Sequence, residues 1–105
     1  MAFLAARFAN RKEIEAGVQR AAQALAPAVV RIRYNYADDW EGEPSIFFRV
    51  VIADEYARNP KLSDLADTVS FKVRNEANTD ELGLHAYFEF RTISEQNEIK
   101  EPEWE

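Results

Sequence analysis

Four carboxylates gather around one glycine in the stretch YNYADDWEGEPSIFFRVV, residues 34–51: Asp38 and Asp39 precede Gly42, and Glu41 and Glu43 flank it. Hard divalent cations take oxygen ligands, and a calcium loop sets glycine at its sixth position and a bidentate glutamate at its twelfth. With Gly42 in sixth place, the first ligand position falls on Ala37 and the twelfth on Phe48. The pattern fails, so Asp38 and Asp39 read as residues that cap a turn by accepting backbone N–H groups. A metal-dependent hydrolase or transferase would have to be built on Asp38, Asp39, Asp54 and Glu89, and no cofactor is expected.

The remaining chemistry is narrow. There is no cysteine and His85 is the one histidine, which removes thiolate sites, disulfides and a two-histidine zinc site within one chain. Ser45, Ser70 or Ser94 could serve as a nucleophile, but no glycine-flanked elbow presents any of them. Gly17, Gly42 and Gly83 are scattered, so phosphate-cradling loops are absent.

Four arginines, Arg31, Arg33, Arg49 and Arg91, share with His85 and Glu89 the polar side of three strand-like segments. Guanidinium forks bind carboxylates and phosphates in a planar, bidentate way, so such a face could receive a partner's acidic patch or a nucleic-acid backbone. It could equally be a solvated ladder of cross-strand ion pairs, the simpler reading. Trp40, Phe47, Tyr87 and Trp104 are the aromatic side chains that would mark a contact if exposed together. For Trp104, set among five glutamates from Glu95 to Glu105, folding back onto the body is the preferred alternative.

The elements that must carry these residues follow from periodicity. Asn10 with Glu13 suggests a capped helix start, Ile14, Val18, Ala21, Ala22 and Leu25 recur at helical spacing, and Pro27 ends the run. Residues 28–36 alternate, with Val30, Ile32, Tyr34 and Tyr36 on one side, which makes a half-buried strand. Residues 45–53 are apolar on both sides except at Arg49 and suit a central strand. Asp38, Asp39, Gly42 and Pro44 supply the turn of a hairpin between the two.

Beyond Asn59 and Pro60, with Ser63 or Asn59 as cap, Leu62, Leu65, Ala66, Val69 and Val73 predict a second helix to about Asn75. Val69, Phe71 and Val73 also alternate as a strand would, and the longer helical register decides. Residues 84–93 are the third strand, followed by a helical turn and a frayed acidic tail over about residues 95–105. Phe3, Leu4 and Phe8 form either an extra turn on the domain or a docking segment. The expected fold is one α+β domain, a two-layer sandwich of order α-β-β-α-β with a mixed three-stranded sheet and a right-handed crossover through the second helix.

A chain of 105 residues, 47% hydrophobic and 30% charged, can close one core. Arg7, Arg11 and Lys12 precede any acid, faintly like a transit peptide, but the apolar run there suits neither a secretory signal nor a membrane span. A cytoplasmic protein without membrane contact is expected. The net charge of −6, from 19 acids against 13 bases, disfavours indiscriminate binding to nucleic acid.

The stretches ALAPAVVRIRYNYADDWEGEPSIFFRVVIAD and ELGLHAYFEFRTISEQ resemble small bacterial proteins of uncharacterised function in which a hairpin, a helix and a strand follow a leading helix. The element order is also similar to minimal nucleotidyltransferases, which often act as antitoxins beside a helical toxin. That resemblance implies a Gly-Ser turn, two aspartates alternating on the next strand and a third acid later, all binding the metals of phosphoryl transfer. The corresponding strand here reads Ser45-Ile46-Phe47-Phe48-Arg49, and only Glu89 could stand for the third acid. The resemblance therefore implies a domain without transferase chemistry. The expectation is a non-catalytic protein-interaction module, the antitoxin-like or accessory half of a bacterial gene pair, that binds a protein partner or itself. A metal-dependent enzyme and nucleic-acid binding through the arginine face are the alternatives.

Overall fold

The structure, a computed structural model, describes residues 10–58 and 61–105. Helix α1 (Arg11–Leu25) leads into an antiparallel hairpin of β1 (Val29–Asp38) and β2 (Pro44–Ile52). A single 3-10 turn, Asp54–Tyr56, precedes α2 (Lys61–Ala77), after which β3 (His85–Thr92) pairs parallel to β2. The sheet order is β1-β2-β3, so the mixed three-stranded sheet has β2 at its centre, as its two apolar sides require. Helix α3 (Ile93–Ile99) and a 3-10 turn, Pro102–Trp104, complete the chain. No helix among the described residues is long and apolar enough to cross a membrane.

Both long helices cover one sheet face. Ile14, Val18 and Ala21 of α1 meet Val69, Val73 and Ala77 of α2 above Ile32, Ile46, Phe48, Val50 and Ile52. Under them runs an aromatic row, with Phe48 stacked on Phe88 at 4.8 Å between ring centroids and tilted against Tyr34 at 5.8 Å. The helices cross so closely that a Cβ at Gly17 would lie 2.2 Å from the Glu76 carbonyl oxygen. Beside this crossing the Arg20 Nε donates to Glu76 Oε1 at 2.9 Å. Helical register also resolves the ambiguity in α2: Val69 and Val73 are fully buried while Phe71, two residues from each, is 62% exposed. A strand would have put all three on one side.

Several local expectations are corrected. Asn10 stands at the start of α1 and its carbonyl accepts the Ile14 N–H at 2.9 Å, but its side chain makes no capping hydrogen bond. Ser63 lies inside α2 rather than capping it, and Asn59 falls outside the described residues, as do Phe3, Leu4 and Phe8. A register shift between Val29 and Arg31 inserts one residue, so Val29 takes the buried position and Val30 turns outward. The acidic tail is not frayed. Thr92 and Glu95 form a reciprocal capping box at the start of α3, and Trp104 ends up 3% exposed.

Candidate functional site

From Arg31 onward, strand alternation sends the odd-numbered residues of all three strands to the sheet face opposite the long helices. The register sets them in rows: Arg31, Val51 and Arg91; Arg33, Arg49 and Glu89; Asn35, Phe47 and Tyr87; Ala37, Ser45 and His85. The polar face legible in the alternation is thus one surface, and it divides into a closed half and an open half.

The closed half is roofed by the chain that follows β3. Arg31 Nε donates to the Trp104 carbonyl oxygen at 2.7 Å, and Arg33 donates to the Glu105 carbonyl oxygen at 2.9 Å. Arg91 pairs with the Glu101 carboxylate and donates to Gln96 Oε1 at 3.0 Å, with its guanidinium carbon 4.2 Å from the centre of the Trp104 ring. Buried Gln96 donates in turn to the Glu101 carbonyl oxygen at 2.8 Å and to the Glu105 carboxylate. Val51 is fully buried beneath this roof. Three of the four arginines therefore hold the molecule's own acidic segment, and that segment's Trp104 is buried while Arg33 stays exposed. The expected ion-pair ladder does not form either: Arg49 and Glu89 are register partners, yet no salt bridge joins them.

The open half is aromatic. Phe47 and Tyr87 stack at 5.2 Å between centroids with planes 22° apart, and Trp40 leans on Tyr87 at 5.0 Å. Trp40 remains 76% exposed, the most exposed large apolar side chain among the described residues. It reaches this place because the hairpin loop folds over the face. Gly42, at φ +79°, permits a turn in which its N–H donates to the Asp39 carbonyl and the Asp39 N–H donates to the Glu43 carbonyl, each at 2.9 Å. Asp39 locks the loop to the sheet: Oδ1 accepts the N–H groups of Glu41 and Glu43 at 2.9 Å, and Oδ2 accepts the Tyr87 hydroxyl at 2.8 Å.

Electrostatics follow from this junction. Partial desolvation pushes the Asp39 carboxyl up, but the donors from Glu43, Tyr87 and Glu41, with the nearby His85, together hold it below the ordinary carboxylate value. The same hydrogen bond to Asp39, followed by desolvation and the charges of Asp39, Glu41 and Glu43, raises Tyr87 above the ordinary tyrosine value. The field at the ring is negative.

The carboxylates weighed for metal chemistry do not converge. Asp38 and Asp39 lie at one end of β2, and Asp54 lies beyond the other, accepting the Ser94 N–H at 3.1 Å and the Ser94 hydroxyl. Those two Ser94 donors depress the Asp54 carboxyl, so it serves as an anchor for the start of α3. Glu89 stands apart in the middle of β3. Among the described residues, no three histidine or carboxylate side chains are grouped so as to hold a metal ion.

No serine is presented as a nucleophile. Ser45 faces His85 in register but is buried, and its hydroxyl donates to the Glu43 carbonyl, while Ser70 donates to the Ala66 carbonyl. Sequence reasoning named Trp40, Phe47 and Tyr87 as contact residues but missed Asp39 as their organiser and missed Gln96 entirely. Parallel pairing of residues 47 and 87, forty apart, leaves no local signal, whereas the T-x-x-E pattern of Thr92 to Glu95 was there to be read. Comparison of the chain with protein-family models, with curated proteins and with solved structures finds no match in any of the three.

Proposed function

We propose that this chain is a non-catalytic protein-interaction module, the accessory half of a two-protein pair, that docks its partner on the open aromatic half of the outer sheet face. The observation that carries the reading is Trp40, exposed to solvent yet held in place against Tyr87, whose hydroxyl is bound to Asp39. An apolar ring left in water gains free energy when covered, and one already immobilised loses little entropy on binding. Tryptophan and tyrosine dominate binding energy at protein interfaces for these reasons. Asp39, Asp54 and Ser45, three of the side chains that could do chemistry, are each committed to holding the fold, which supports the same reading.

Site-specific cross-linking tests it. A photoreactive phenylalanine at position 40, introduced in the native host, is expected to trap one discrete partner, and excess wild-type protein but not Trp40→Ala should compete it away. The same probe at position 71, an exposed aromatic position on α2, is the control. Equal trapping at both positions, or none at 40, sinks the reading.

A further inference from the structure

The aromatic face is not electrically neutral, and its charge names the partner's chemistry. On one side stands the hairpin loop with Glu41 and Glu43, both exposed and, among the described residues, in no ion pair. On the other, two residues along each strand and so about 7 Å away, lie Arg33 and Arg49. Arg33 donates to the Glu105 carbonyl, and Arg49 has Glu89 opposite it in register with no salt bridge between them. The charges acting on the Tyr87 hydroxyl are those of Asp39, Glu41 and Glu43, so the field beside the rings is negative, in a chain whose net charge is −6.

An electron-rich indole face with carboxylates at its margin attracts a cation twice over, through the ring quadrupole and through Coulomb attraction. A single-stranded nucleic acid could stack its bases on the same rings, but its phosphates would be repelled by the loop. We infer that the open face takes a basic peptide segment of the partner protein, with an arginine or lysine side chain lying over the Trp40 ring and its charge turned toward the acidic loop. This rests on the docking reading above and specifies its partner. Arginine is favoured over lysine, because a planar guanidinium stacks on an indole while a strongly hydrated ammonium does not.

The test is titration of the ¹⁵N-labelled full chain with a Gly-Arg repeat peptide, a Gly-Lys peptide, a Gly-Glu peptide and oligouridylate, reading the two indole N–H resonances. The arginine peptide is expected to shift the Trp40 resonance saturably and leave that of buried Trp104 in place. The lysine peptide should bind more weakly, and the glutamate peptide and oligouridylate should have no effect. Trp40→Ala, read on backbone amides of the loop, should weaken arginine-peptide binding roughly three- to fivefold. The pair Glu41→Gln/Glu43→Gln should weaken it comparably, whereas Asp64→Asn/Asp67→Asn, the same charge change on exposed α2 positions, should not. Equal loss in both charge pairs would mean diffuse attraction to an acidic protein and would overturn the inference. A response to the glutamate peptide or to oligouridylate, or undiminished binding by Trp40→Ala, overturns it too. Failure here with cross-links still formed at position 40 would leave the docking reading standing and remove only its basic partner.

Discussion

Asp39 shows how one short side chain can organise a surface made mostly of aromatic carbon. Its two oxygens take three donors: two from its own turn fix the loop's shape, and the third, the Tyr87 hydroxyl, is lost if the loop lifts from the sheet. Because the folded carboxyl is held below its ordinary value, the anchoring is fully present above that value, 3.8, and is lost as pH falls through the lower folded one. Tyr87 behaves oppositely: its raised value keeps the neutral hydroxyl in place below about pH 10, and the contribution disappears as pH rises through the folded value. Ultraviolet titration at alkaline pH should therefore show a late-ionising tyrosine that moves back toward 10.0 in Asp39→Asn. The comparison with wild type is needed because burial also delays Tyr34. An unchanged titration curve would show that Asp39 does not govern the ring.

At the scale of elements, the crossing of α1 and α2 depends on a missing side chain. Gly17 sits where any Cβ would press on the Glu76 carbonyl and on Ala77 Cα at 2.9 Å, and backbone cannot step aside as a flexible side chain can. Gly17→Ala gains about 1 kcal/mol of helix propensity, yet overpacking a tight contact costs typically more. The expected net loss is about 2 kcal/mol, close to 10 °C in Tm for a domain of this size. It should separate the Arg20 guanidinium from Glu76 as the helices part. A melting temperature equal to wild type would mean the crossing opens freely. The salt bridges around it, Arg20 and Lys72 with Glu76, are largely exposed and contribute little by comparison.

For the whole molecule, the decisive event is the return of the last segment across the sheet. It buries Trp104 over Arg91, closes Val51 from water and engages Arg31, Arg33 and Arg91, while the aromatic half of the face stays open. Trp104→Ala should cost about 3 kcal/mol, as removal of a buried tryptophan typically does. Denaturant unfolding measures this, and loss of less than about 1 kcal/mol would show the roof to be loosely held. Arg31, Arg33 and Arg91 each donate to this segment, so how far it reaches sets how much of the outer face it covers.

Much of this was legible along the chain. Periodicity placed both long helices and all three strands, because burying one stripe or one face leaves a spacing that survives in the sequence: Val69 with Val73, Leu84 with Phe88. Alternation also told which residues share the outer face, since the period of two is a property of any extended chain. Tertiary structure alone decided what that face became. Whether Arg91 meets Glu89's row or Glu101, whether Trp104 is bare or buried, and whether Asp39 reaches Tyr87 all depend on contacts between residues far apart in the chain. Such contacts are selected by the energy of the whole fold and leave no mark in the order of neighbours.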